Sequence, residues 1–343
     1  MNTSKSVLTV AREALAAADG AFRAYASLKS PHKFTQPQLA ACLVVKEFLR
    51  LDYRGVSVLL AEWSDLREVL GLRRVPHFTT LWAAQRRLLA KAGADGLMRG
   101  VLDRCRRRGL LPPTVRLAAI DSTGLETRHA SRYYTRRCWR HEGHLKTRFP
   151  KLSAVCDTAT HLVLGAVVDR GPKVDHIEFE ATVRDALWRQ PFATLVGDAG
   201  YDSEKAHRLC RERLGVRSIF ALNPCGRRRL DGQPQRITSP YRRALARRFP
   251  KKTYGQRWQV ETVFSMLKRH LGSALAARRP HRQHREIRLR LLTHNLMILW
   301  RQRLGHVLYR AGACDENPDN SDSVCLGRPC CQSVLRLSES QSG

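Results

Sequence analysis

The sequence predicts an α/β protein: a mixed sheet flanked by helices, preceded by an all-helical N-terminal region. Three observations predict it. Through residues 1–110, apolar side chains recur at helical spacing. Pro112 and Pro113 then close that region, because proline ends a helical run. Beyond them, short apolar runs alternate with amphipathic segments, the order expected of a sheet covered by helices.

Taken in order, "QPQLAACLVVKEFLRLDY" carries apolar residues at helical spacing, and "GVSVLLAEW" and "SDLREVLGL" read as shorter helices. "RRVPHFTTLWAAQRRLLAKAG" has a proline stop, Thr79 or Thr80 as cap, and a new helix. Short helices joined by tight turns are similar to a helix-turn-helix unit, and Arg86 and Arg87 would let the last of them lie on DNA. A helical packing region that touches no DNA fits the same pattern.

"VRLAAI" reads as a buried strand ending at Asp121. "KLSAVCDTATHLVLGAVVD" reads as two strands joined by a turn at Asp157 to Thr160. "DHIEFEATVRDALWRQ" is a helix begun by Asp175 and Glu178, and "FATLVGD" a strand ending at Asp198. "SEKAHRLCRERLG" is a helix capped by Asp202 or Glu204, and "VRSIFALN" a strand. After an Arg-rich segment, 223–252, come a helix carrying Glu261 and a final helix, "REIRLRLLTHNLMILWRQRL". The domain plan is therefore a helical, DNA-binding region 1–110, an α/β domain 111–308, and a polar tail 309–343 with no periodicity.

The charge narrows the function. Lys and Arg total 61 against 30 Asp and Glu, a net charge of +31 across 343 residues. Such an excess repels itself and calls for a polyanionic partner; arginine, which dominates, grips phosphate with a planar fork. A coding bias toward arginine would raise the same count without a partner. The charge is clustered. Residues 128–151 hold eight Lys or Arg against Glu142, interleaved with Tyr133, Tyr134, Trp139 and Phe149. Residues 225–252 hold ten against Asp231, and residues 278–290 six against Glu286. A solvated basic face explains any one cluster. Three beside strand ends and helix starts of one domain point to a common groove for nucleic acid. No apolar run approaches the ~20 residues that span a bilayer. The N-terminus lacks a secretory h-region, so the expected location is cytoplasmic, at the nucleoid, with reduced cysteines. Cys314, Cys325, Cys330 and Cys331 do not repeat a zinc-ligand spacing, and His141 and His144 read as solvated or DNA-facing.

Three carboxylates stand out against this basic background. Asp121 and Asp198 each end an apolar strand and precede small residues. Singly, each fits a turn or cap role. Around a helical wheel with Arg257 at zero, Glu261 falls near ~40°, Lys268 near ~20° and Tyr254 near ~60°. Val260, Val263, Phe264, Leu267 and Leu271 form an apolar stripe about 90° away. Glu261 thus lies at the margin of a buried face, open to a cleft. An ordinary surface pair of Arg257 with Glu261 is the alternative. Gathered carboxylates repel one another and become favourable when divalent cations sit between them. Oxygen ligands suit Mg2+ or Mn2+, and two such ions can serve phosphoryl transfer.

"AAIDST", "VGDAGYDSE" and "YGQRWQVETVFSMLKR" resemble the three catalytic blocks of DDE transposases from bacterial insertion sequences, over residues 118–270. The last block resembles the Tyr-Arg-Glu-Lys signature of one branch, with two, three and six residues between Tyr254, Arg257, Glu261 and Lys268. The resemblance implies a ribonuclease-H-like fold, with Asp121, Asp198 and Glu261 as catalytic metal ligands for two Mg2+ (or Mn2+) ions. It implies cleavage at element ends and attack of the freed 3′-hydroxyls on target DNA. Arg257 and Lys268 would contact DNA phosphates near the cut, Tyr254 would pack against the DNA or position Glu261, and Arg136, Arg137 and Lys146 of the first basic cluster would bind DNA beside them. Double-stranded DNA, both element ends and target, is the expected partner, held by a homodimer or larger assembly. Some relatives carry a β-rich insertion between the second Asp and the Glu; here 62 residues intervene, occupied by a helix, a strand and the Arg-rich stretch. A derived DNA-binding protein that has lost cleavage, or a hydrolytic nuclease of the same fold, keeps the same three carboxylates.

Overall fold

The computed structural model describes residues 3–27, 29, 31–128, 149–223, 237 and 239–299. Arg136, Arg137, Lys146, His141 and His144, residues 224–236 and 238 of the Arg-rich segment, the end of the final helix and the C-terminal tail with its four cysteines lie outside the described residues.

Six helices come first: α1 (Val7–Asp19), α2 (Gln36–Phe48), α3 (Tyr53–Glu62), α4 (Ser64–Val69), α5 (Phe78–Leu88) and α6 (Lys91–Arg107). Local chemistry sets their starts. Ser6 accepts from the Thr9 amide, and Asp52 from the Gly55 amide. Thr35 and Gln38 form a reciprocal capping box with Pro37 in the first turn. Helix α5 departs from the expected cap. It starts at Phe78, so Thr79 and Thr80 lie inside it, and the Thr79 hydroxyl meets the His77 imidazole at 2.8 Å.

A five-stranded sheet follows: β1 (Val115–Gly124), β3 (Phe149–Asp157), β4 (Val163–Gly171), β5 (Phe192–Gly197) and β6 (Arg217–Phe220). The order across the sheet is β4-β3-β1-β5-β6. β3 pairs antiparallel to β1 and β4, whereas β5 and β6 run parallel to β1. That order and those directions are the ribonuclease-H-like arrangement. The β3–β4 turn forms as the sequence predicts: Asp157 accepts from the Ala159 and Thr160 amides and the Thr160 hydroxyl. Helix α7 (His176–Arg189) covers β3 and β4. A Cβ on Gly165 would stand 2.4 Å from the Ala186 backbone, so the closeness of helix and sheet requires glycine there.

Helix α8 (Glu204–Arg208, continued as a wider turn through Arg213) links β5 to β6. Its cap is Ser203, which accepts from the Ala206 amide, and not Asp202 or Glu204. The Asp202 carboxylate is buried and accepts instead from the Asn223 amide (2.8 Å) and Arg242 (2.9 Å), with His207 at 3.3 Å. Then come α9 (Pro240–Arg247), α10 (Lys251–Tyr254), α11 (Trp258–Leu271) and α12 (Pro280–Leu299). A second, two-stranded sheet that the sequence did not betray pairs β2 (Glu126–Thr127) with β7 (Ala274–Leu275).

The described residues form one compact unit. A single apolar core runs from the N-terminal helices into the sheet. Helix α12 is the shared pillar. Asn295 bonds both the amide and the carbonyl of Val163, at 2.9 and 2.8 Å. Arg290, 5 % exposed, donates to Glu47 of α2, to Glu286, and to the Gly272 and Ala274 carbonyls beside β7. Removing one partner of such a buried pair leaves a charge uncompensated. Arg290→Ala should therefore lower the unfolding free energy by about 3 kcal/mol in urea denaturation. A loss under ~1 kcal/mol would show that Arg290 does not lock the helical layer to the sheet.

Candidate active site

Asp121 does not end its strand. β1 continues to Gly124 and stays paired with β3, Asp121 standing opposite Ala154. What ends is the other side: pairing of β1 with β5 stops at Ala119 and Val196. Asp121 and Asp198 therefore follow the last paired residues of two neighbouring parallel strands, where the sheet opens. Gly197 makes the approach possible. A Cβ there would lie 2.9 Å from the Ile120 side chain and 3.0 Å from the Tyr201 ring. Asp198 then accepts from the Gly200 amide at 3.0 Å and starts the turn that buries Tyr201 beneath the cleft.

Glu261 arrives on α11. Val260, Val263, Phe264, Leu267 and Leu271 are buried, as the apolar stripe predicts, and Glu261 is left 54 % exposed on the cleft side. Asp121, Ser122, Thr123, Glu261, Lys268 and Arg269 line one open cleft. Arg257 bridges its acids: its guanidinium stands 2.7 Å from Glu261 and 4.0 Å from Asp121. Lys268 donates to the Thr123 hydroxyl at 2.8 Å. Tyr254 packs its ring against Phe249, centroids 5.0 Å apart, on the approach to Arg257.

The electrostatics follow from this placement. Burial pushes the Asp121 carboxyl up to about 6, and the charges of Asp198 and Glu261 push in the same direction. The Ser122 amide, 2.8 Å away, and Arg257 oppose the shift. The donor set is wholly carboxylate oxygen, which fits a hard divalent cation. Arg257 already places positive charge between two of the acids. As the side chains stand, no three His, Cys, Asp or Glu among the described residues converge tightly enough to hold one ion jointly. Glu261 faces the guanidinium.

Three further residues belong to this neighbourhood. Asp175 precedes α7 but makes no capping bond. It accepts instead from the Ser122 hydroxyl (2.5 Å) and from Lys151 (2.8 Å). Lys151, buried in β3, also bonds Glu178 at 2.8 Å. The Tyr201 hydroxyl is buried without a partner among the described residues, and burial with the charges of Asp175, Asp121 and Asp198 drives its pKa upward. One sequence signal points to this group: a lysine inside the apolar strand "KLSAVC" needs a carboxylate to be buried.

The raised Asp121 carboxyl makes a stability prediction for protein kept free of divalent metal. Its folded pKa, about 6, exceeds the ordinary 3.8, so its ionisation costs stability as pH rises through that window. Asp121→Asn removes the cost. The variant should unfold at higher urea than wild type above about pH 6, by on the order of 2 kcal/mol. The advantage should vanish near pH 4. An advantage of equal size at both ends of the range would exclude ionisation as its cause.

The chain was compared with known proteins. Residues 113–296, just over half of the chain, match the family model described as the transposase DDE domain. No curated protein matches the sequence. Among solved structures, the chain is similar to a Mos1 transposase paired-end complex with left transposon end. Identity is 12 %, with 73 % of this chain and 81 % of that chain covered at a TM-score of 0.21. The fold rests on the strand order of this chain and not on that likeness. With Asp121, Asp198 and Glu261 all inside the matched span, the chain belongs to the transposase DDE-domain family.

Proposed function

We propose that this transposase-family protein cleaves DNA at the ends of a mobile element and joins the freed 3′-hydroxyls to target DNA. The observation that carries the reading is that Asp121 and Glu261 line one open cleft, with the charge of Asp198 acting on Asp121, inside a chain of net charge +31. A carboxylate cluster alone would repel a phosphodiester; set among cations, it can take one when its own charge is neutralised.

Asp121, Asp198 and Glu261 would hold two Mg2+ or Mn2+ ions. Such ions supply activation of an attacking oxygen and stabilisation of a leaving one. The chain's own residues do the positioning. Arg257, shared between Glu261 and Asp121, is free to pass one edge of its fork to a DNA phosphate once those acids are otherwise neutralised. Lys268, anchored on Thr123, presents an ammonium to the same phosphate run. Asp175 fixes Ser122 and so the backbone that follows Asp121. In cleavage, a water oxygen bonds to phosphorus, the bond to the 3′-oxygen breaks, and that oxygen leaves as a hydroxyl. In joining, the hydroxyl oxygen attacks a target phosphorus and the target strand's own 3′-oxygen leaves. The spacing of Tyr254, Arg257, Glu261 and Lys268 supports the Tyr-Arg-Glu-Lys branch. A paired assembly on two DNA ends, working in the cytoplasm at the nucleoid, fits the reaction. No helix among the described residues is long and apolar enough to cross a membrane.

The test is nicking of supercoiled plasmid with Mn2+ by wild type and Glu261→Gln. The variant should lose activity by at least on the order of 100-fold. Equal nicking by both proteins would remove Glu261 from the catalytic set. Supplying pre-cleaved ends with 3′-hydroxyls should yield joined products; hydrolysis without joining would make the protein a nuclease.

A further inference from the structure

A second basic cleft, about 400 Å³, lies between the N-terminal helices and the start of α12. Its walls come from α2, α3 and α5 on one side and from residues 276–290 on the other. Nine Lys or Arg line it against three acids.

The acids are already engaged. Glu47 and Glu286 hold Arg290, Glu286 also accepts from the Ala276 and Ala277 amides, and Asp52 caps α3. The arginines at the mouth are not. Among the described residues, no carboxylate pairs with Arg50, Arg86, Arg279, Arg282 or Arg285. Leaving so much cationic charge together costs energy unless an anion is meant to lie there. The Nε of Arg282 is buried and has no hydrogen-bond partner among the described residues.

Two of these guanidinium groups, those of Arg86 and Arg282, are also held by an aromatic ring. Trp82 of α5, 36 % exposed, carries Arg86 4.8 Å from its ring centroid and Arg282 5.7 Å from it. One indole thus holds two cations from different elements at the cleft mouth by cation–π attraction. Partial desolvation and the charges of Arg285, Arg282 and Arg279 hold the His281 imidazole below its usual range, as a locally positive field requires.

From this geometry we infer that the cleft between α5 and α12 is a second binding site, for the phosphate backbone of duplex DNA, with Trp82 positioning Arg86 and Arg282. The inference rests on the DNA-processing reading for its choice of polyanion. Arg128 lines the cleft and follows Asp121 by seven residues of mostly extended chain, so it lies within ~25 Å of it. One duplex, at ~3.4 Å per base pair, can therefore touch the carboxylate cleft and this one no more than roughly seven base pairs apart. Phosphate contacts of this kind fix position without reading sequence.

The test measures the salt dependence of binding to a duplex of about 30 base pairs, with the full chain carrying Arg282→Ala and Arg285→Ala together. The slope of log K against log salt should fall by about 0.9 per arginine, close to 2 for the pair. The double lysine variant should restore the slope. A control pair outside the cleft, Arg213→Ala with Arg217→Ala, should leave it nearly unchanged. An unchanged slope in the cleft variant overturns the inference, as does an equal fall in the control pair. A dependence on Arg282 and Arg285 seen with an RNA duplex of equal length but not with DNA overturns the assignment to DNA. Plasmid nicking at low salt separates the two readings. If the cleft variant binds and nicks as wild type does, only the cleft inference fails. If wild type never nicks while its slope depends on the pair, only the catalytic reading fails. Circular dichroism and a melting curve confirm that each variant is folded.

Discussion

Carboxylates cannot gather in a half-buried cleft without positive charge among them, and most of the α/β half of this molecule can be understood from that constraint. Asp121 is pushed toward its protonated form by burial and by Asp198 and Glu261. The chain relieves part of the strain itself. Arg257, one helical turn before Glu261, reaches across to Asp121 and shares its charge between them. A network one step behind does the same for Asp175 and Glu178, where buried Lys151 bonds both. Asp121, Glu261, Asp175 and Glu178 thus each have a cation beside them, and the cleft-facing pair shares Arg257.

The frame that brings the acids together is built from small residues and an interrupted pairing. β1 keeps β3 beyond Asp121 but loses β5 after Ala119, and Gly197 lets the two strands stay close to that point. Helix α11 is fixed by its apolar stripe on the sheet, so Glu261 has little choice of position even though it is exposed. Arg290 and Asn295 of α12 then tie the sheet and its small two-stranded companion to the helical layer. The arginines that precede them on α12 line the second basic cleft. One helix therefore serves as pillar at one end and as cationic wall at the other.

Much of this was legible in the sequence, and the reasons differ by element. Strands and helices with clean periodicity were read in the right order, because apolar patterning decides them locally. The stripe on α11 was read correctly because five apolar residues share one face. The extent of β1 past Asp121 was not, since polar residues at a sheet opening look like a strand end. Local pattern offers Thr79 or Thr80 as cap of a helix that starts at Phe78, and Asp202 or Glu204 as cap of one that Ser203 caps. In the second case a tertiary bond to Arg242 outcompetes the local one. Asp175 looked like the start of a helix; its bond to Ser122 joins residues 53 positions apart, which no local pattern reveals. The β2–β7 pairing, two residues on each side, lies below what alternation can show.

The account turns on whether Asp121, Asp198 and Glu261 act as one cation site. Mn2+ titration followed by electron paramagnetic resonance, on DNA-free protein at neutral pH, reads this directly. Wild type should bind the ion, and Asp121→Asn and Asp198→Asn should each weaken binding by at least about tenfold. Identical titrations for wild type and a folded variant lacking both aspartates would contradict it.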